Sequence, residues 1–201
     1  MKKMIYVLVI TFLSLTIYSC AKKSDSSTSS TTTSSTTTEI EGEWKTTCYS
    51  SGSYYKTKTI TVSGTGIVKK SEYHSDSSCS IDNYTVEYTF SSLSIGDAVE
   101  FNSGKTGHKY TMTLSTMTET QLNSYEVSFV NSISWCGYTD WVLDTPKSIA
   151  GKTCGTSTEW SENTSIYGLY LLDGSKLFVD TSSSSYPSSV GTGTSDTYNK
   201  Q

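Results

Sequence analysis

From Glu39 to about Ser182 apolar side chains recur at every second residue, and this alternation restricts the chain to half-buried antiparallel strands. Glu39, Glu41 and Glu43 alternate with Ile40, Gly42 and Trp44, and the pattern continues through Thr46 and Cys48. Tyr84, Val86, Tyr88 and Phe90 share one parity, with Thr85, Glu87, Thr89 and Ser91 on the other. Tyr110, Met112 and Leu114 repeat it, and Tyr125, Val127, Phe129, Ile133 and Trp135 do so again. No stretch carries the 3.6-residue period of a helix.

Turn signals separate these runs: Ser51-Gly52, Ser63-Gly64-Thr65-Gly66, Asp82-Asn83, Gly96-Asp97 and Asn102-Ser103-Gly104. The clearest hairpin is Tyr167–Leu172, Asp173-Gly174, then Lys176–Asp180, where Asp-Gly suits a tight type I′ turn. The expected fold is all-β: an antiparallel meander of about eight to ten strands closing into a barrel, or alternatively a two-sheet sandwich. Residues 183–201 are rich in Ser, Gly and Thr and read as an irregular polar tail.

The N-terminus has a different texture. Met1-Lys2-Lys3 is basic, and Met4 to Tyr18 is mostly apolar but broken by Thr11, Ser14 and Thr16. A spanning helix needs about 20 apolar residues, so residues 1–19 read as a signal segment. Ile17-Tyr18-Ser19-Cys20 resembles the lipobox of bacterial lipoproteins, with Tyr18 where the strictest form has a small residue. That resemblance implies cleavage before Cys20 and lipid on its sulfur. Ser19 and Ala21 also fit an ordinary small-x-small cleavage, and Lys22-Lys23 fit an uncleaved anchor. Two or more acyl chains hold a protein stably where one does not. Ala21 after the cysteine points to the outer membrane, the domain facing periplasm or exterior. Ser24 to Thr38 is nearly pure Ser and Thr, so residues 20–38 read as a lipidated cysteine and flexible tether, and 39–182 as the barrel domain.

With Cys20 carrying lipid, Cys48, Cys79, Cys136 and Cys154 remain, an even number in an exported domain and so two disulfides. Of the three pairings, Cys48–Cys79 and Cys136–Cys154 join neighbouring segments of a meander. The spacings lack Cys-x-x-Cys, which argues against a metal site.

Charge and composition exclude several functions. The formal net charge is -4, and all 15 Lys+Arg are lysine. A mildly acidic chain without arginine lacks the bidentate clamp for phosphate and the reader of guanine edges, so nucleic acid is not an expected partner. His74-Ser75-Asp76 offers only two metal ligands, His108 stands alone, and Gly-x-Ser-x-Gly is absent. Asp97 with Glu100, or Asp140 with Asp144, could flank a sugar, but such carboxylates are ordinarily surface charges. No enzyme activity and no cofactor is expected.

Gly42-Glu43-Trp44 opens the first strand and resembles the Gly-x-Trp start of lipocalins, in which the tryptophan packs across the closed end of an eight-stranded cup. Thr139-Asp140-Trp141 is similar to that family's Thr-Asp-Tyr element, whereas the arginine that covers the family's tryptophan has no counterpart residue type in this chain. Gly42, Trp44, Cys48, Cys136, Gly137, Tyr138, Asp140 and Trp141 together resemble lipocalin-like lipoproteins of spirochaetes and predatory bacteria. No settled function comes with that resemblance; the first expectation is a binding module, a barrel whose interior takes a small apolar ligand, with Tyr84, Tyr88, Tyr110 and Met112 as candidate lining residues. The alternative is a surface-displayed domain for protein–protein interaction or adhesion. A ligand-sized void inside the barrel would favour the first; a filled core with an exposed aromatic patch would favour the second.

Overall fold

The computed structural model describes residues 38–101 and 103–201. The expectations for residues 1–37, lipid attachment at Cys20 among them, lie outside the described residues.

Twelve strands follow in chain order: β1 (Gly42–Lys45), β2 (Tyr49–Ser51), β3 (Tyr54–Ser63), β4 (Gly66–His74), β5 (Asp82–Glu100), β6 (Thr106–Gln121), β7 (Lys147–Ser148), β8 (Thr153–Cys154), β9 (Ser157–Thr158), β10 (Ser165–Asp173), β11 (Lys176–Ser182) and β12 (Thr197–Lys200). Eight of them form a closed antiparallel barrel, β1-β3-β4-β5-β6-β10-β11-β12 and back to β1. The barrel thus prevails over the sandwich alternative. β2 pairs antiparallel with the start of β3, β7 pairs with β6, and β8–β9 is a separate small hairpin.

Directly opposed residues share a face, and the alternation sets which face is inside. Trp44↔Ile60, Val62↔Ile67, Ile67↔Phe90 and Phe90↔Leu114 carry one apolar layer across five strands. Trp44, Phe90, Leu114, Ile166, Leu177 and Tyr198 are all at most 2% exposed. At about 25 cal/mol per Å² of apolar area removed from water, this interior drives the folding.

The turn signals Ser51-Gly52 and Ser63–Gly66 fall between strands, whereas Gly96-Asp97 lies inside β5. There it is the register shift between Ile95 and Ala98, one of three in the β5–β6 ladder. Such bulges bend a long strand around a barrel. Asp82-Asn83 likewise opens β5 instead of turning. The last hairpin turns on Gly174-Ser175, one residue later than the sequence suggests, with Asp173 paired to Lys176.

Two expectations are overturned. Ser124–Ser132, read as part of a strand, is helix α1. Asn123 caps it by accepting the Glu126 N–H at 2.9 Å. Its alternation is coincidental: Glu126 and Val130 are the buried residues, four apart as on one helix face, while Tyr125 and Ile133 face outward and Phe129 lies half-exposed at the margin between the two faces. The C-terminus is no irregular tail either. Thr197–Lys200 pairs with both β1 and β11 and closes the barrel, with Tyr198 1% exposed, so the domain runs to Gln201.

Cys48–Cys79 ties the start of β2 to the β4–β5 loop, with 6.0 Å between Cα atoms. Cys136–Cys154 ties the turn after α1 to β8, at 4.2 Å.

Candidate binding site at the helix-covered end of the barrel

The centre of the barrel is filled. The void between Ile60, Val62, Ile67, Phe90, Tyr110, Met112 and Leu177 holds about 20 Å³. That is room for one water, well below the several hundred cubic ångströms of a usual ligand site. Of the four nominated lining residues, Tyr110 and Met112 are therefore core. Tyr88 is wedged between Phe90 and Trp160, each with ring centroids 6.1 Å away. Only Tyr84 reaches a recess of useful size, at one end of the barrel.

The opposite end is closed by Trp44. Its indole N–H donates to Ile40 O at 2.8 Å, and Gly42 takes a φ of 112° that a side chain would disfavour. Lys200 Nζ lies 5.2 Å from the Trp44 ring centroid, covering one face of the indole. Outside this end an open groove of about 540 Å³ runs between Thr38, Ser94, His108 and Tyr170, the Tyr170 hydroxyl donating to Glu39 at 2.9 Å.

The recess at Tyr84 encloses about 130 Å³ between the ends of β3, β5 and β6 and the inner face of α1. Tyr54, Tyr84, Phe129 and Trp135 supply aromatic walls, and Glu119, Gln121 and Glu126 supply polar groups. Tyr84 is stacked on Tyr73 at 4.2 Å and meets Tyr54 edge-on at 5.5 Å, which fixes the aromatic side. Glu119 accepts from Gln121 Nε2 at 2.6 Å and from Trp135 Nε1 at 3.1 Å. Because the Gln121 amide nitrogen is thereby spoken for, its Oε1 is the acceptor left over, and it has no partner among the described residues although Gln121 is 0% exposed. Burial pushes the Glu119 carboxyl up; the Trp135 and Gln121 donors oppose it, and Glu159 and Glu126 add to it. Burial likewise raises Glu126, with the Tyr54 hydroxyl pulling the other way.

Three lysines lie on the inner faces of β3 and β4: Lys56 and Lys58 toward this end, and Lys69 beside the central void, opposite Ile60. Lys56 donates to the Tyr73 hydroxyl at 2.7 Å, and Lys58 donates to Ser195 O at 2.9 Å with Asp196 3.8 Å away. Half-buried Lys69 has no carboxylate within ion-pair distance among the described residues. Burial, helped by the other lysines, pulls Lys56 and Lys69 each down to about 8.

The remaining sequence candidates are dispersed. Asp76 turns away from His74 to accept the N–H groups of Ser78, Ser80 and Ile81. His74 is buried, its Nδ1 2.9 Å from Asp82 Oδ1 and its Nε2 3.5 Å from the Thr57 hydroxyl. This line of carboxylate, imidazole and hydroxyl does not make a nucleophile, because the Thr57 hydroxyl donates to Glu72 at 3.0 Å and is itself buried. Asp140 pairs with Lys147, and Glu100 accepts from the Thr106 hydroxyl.

Sequence reading missed Glu119, Gln121, Glu126, Tyr54 and Trp135. Glu119 and Gln121 were hidden by the bulge at Ser115, where Thr89 pairs with Thr116 but Phe90 with Leu114. The inward parity of β6 changes there from even to odd residues, so the two polar side chains read as outward. No protein-family model matches this chain, and no curated protein matches it.

Proposed function

We propose that the protein is a lipid-anchored, non-catalytic binding module of lipocalin-like build, held in the cell envelope through Cys20 and binding a small ligand at the helix-covered end of its barrel. The observation that carries this reading is the 130 Å³ recess walled by four aromatic rings, beside a barrel centre with room for only one water. The ligand is accordingly small and polar at its buried end, rather than the apolar molecule expected from the sequence. The lipobox-like Ile17–Cys20 and the Ser/Thr tether support the anchored placement.

Native mass spectrometry of the detergent-released protein tests the binding. A low-mass adduct is expected on the wild type and not on Val130→Trp, which fills the recess. Adduct on both, or on neither under any condition, rejects the site. Labelled fatty acid should enter the wild type and not Cys20→Ala; label retained in that variant rejects the anchor.

A second reading rests on its own observation. Tyr125 and Ile133 are 75% and 49% exposed on the outer side of α1, and Val142 and Leu143 are 58% and 43% exposed. Asn131 holds that loop to the helix, accepting the Trp141 N–H at 2.7 Å. An apolar patch of this kind on a protein of filled core fits a protein-interaction surface. Loss of partner capture in Tyr125→Ser/Ile133→Ser, with the adduct retained, would assign the function to the patch.

A further inference from the structure

We propose that the recess under α1 receives the primary ammonium group of a small amine, held by Glu119, Glu126 and Gln121 Oε1 and enclosed by Tyr54, Tyr84 and Trp135. This deepens the binding-module reading and rests on it. A buried amide oxygen without a donor lowers stability unless something donates to it. Gln121 Oε1 is such an oxygen, and the 2.6 Å bond from Nε2 to Glu119 sets which end of the amide it is.

The rest of the lining specifies the donor. Glu119 and Glu126 are 4% and 6% exposed, and among the described residues no lysine lies within ion-pair distance of either. Lys56 and Lys58, the nearby cations, are turned to Tyr73 and to Ser195 and Asp196. Two buried carboxyls without a cation are driven toward their neutral form, and a cation entering the recess offsets the burial cost of their ionised form. Aromatic faces favour an organic cation over a hydrated metal ion. An alkylammonium carries three N–H donors, which match the two carboxylates and the orphan amide oxygen; a quaternary ammonium has none to offer. The 130 Å³ volume is about four waters' worth, the size of an amine head with a short stem.

The test uses the full chain in detergent, titrated with n-butylammonium, tetramethylammonium and butyrate by calorimetry, with the Trp135 indole N–H followed by NMR. Butylammonium is expected to bind saturably and shift that resonance, since the indole donates to Glu119. Tetramethylammonium should bind roughly tenfold or more weakly, and butyrate not at all. Gln121→Met and Glu119→Gln should each weaken butylammonium by about tenfold or more. Equal binding of the two cations, or unchanged affinity in both variants, overturns the proposal. So does an absence of amine binding by folded wild type, which leaves only ordered water on Gln121. If amines fail while an adduct is still excluded by Val130→Trp, the amine class falls and the binding site stands; if no adduct forms either, both fall. A capped Gly-Lys-Gly peptide that binds more tightly than butylammonium would assign the ammonium to a protein side chain, and the reverse order to a free amine.

Discussion

Lys200, the penultimate residue, holds its ammonium 5.2 Å from the ring centre of Trp44, in the first strand, and so joins the two ends of the domain across the closed mouth of the barrel. Trp44 is 1% exposed and Lys200 lies at the surface, so the lysine seals the tryptophan from water with its stem and meets the ring with its charge. Lys200→Met keeps the stem and should cost about 0.5–1 kcal/mol in urea unfolding, with Lys200→Arg close to wild type. Truncation after Asp196 removes Tyr198 and the strand that joins β1 to β11, and should abolish cooperative unfolding. A truncated chain with wild-type stability would show that the barrel closes without β12.

Gly168 is required by the side chain opposite it. A Cβ there would stand 2.0 Å from the Tyr110 ring, and Tyr110 lies across Gly168 in the β6–β10 ladder. Gly168→Ala should therefore cost about 1–3 kcal/mol by overpacking. In a Tyr110→Leu background the same change should cost much less, because the clashing ring is gone. Denaturant midpoints of the four proteins in this cycle measure the coupling.

Lys69 gives the fold a pH dependence whose sign is set. Burial, with the Lys58 charge beside it, lowers Lys69 to about 8 from its ordinary 10.5. Below about pH 8 both folded and unfolded chains hold the proton, and the fold bears the full penalty of the buried charge. Between about 8 and 10.5 the unfolded chain still holds a proton that the folded one has released, so stability rises with pH. Lys69→Met should raise stability at pH 7 by about 1–2 kcal/mol and reduce that rise. Lys56, lowered to about 8 by burial and by Lys58 and Lys69, retains part of it. Urea unfolding of both proteins at pH 7 and pH 10 checks the sign.

The two disulfides should contribute unequally. Their cysteines are separated by 31 residues for Cys48–Cys79 and 18 for Cys136–Cys154. On the loop-entropy account each is worth about 3 kcal/mol, the first by about half a kcal/mol more. Paired Cys→Ser variants compared in urea provide the measurement. Thiol titration of the unreduced, denatured domain should find none of these four cysteines free.

Much of the barrel was readable in advance. The parity of Tyr84–Phe90 and of Tyr110–Leu114, the break at Ser63–Gly66 and the local pairing of the cysteines all reappear in the structure. Each depends on near neighbours: alternation records one buried face, and turn residues record backbone needs only a few positions long. The candidate site was nearly illegible. Tyr84 alone was nominated; Glu119 and Gln121 were masked by one bulged residue, and Glu126 by a segment whose alternation imitates a strand.

Local sequence is thus enough to make this chain all-β and to place most strands, because those features are settled by hydrophobic period and turn chemistry within each segment; for the cysteines it only favoured one of three pairings, and the fold decided it. Tertiary structure decided the rest. Thr197–Lys200 carries little strand signal of its own, and becomes a strand because β1 and β11 each present an edge of unpaired backbone groups that it satisfies. Ser124–Ser132 becomes a helix because Asn123 caps it and Glu126 and Val130 turn inward together over the barrel end. The β12 pairing and the burial of Glu126 and Val130 both depend on segments far away in sequence, and the recess between α1 and the ends of β3, β5 and β6 exists only once the barrel has closed.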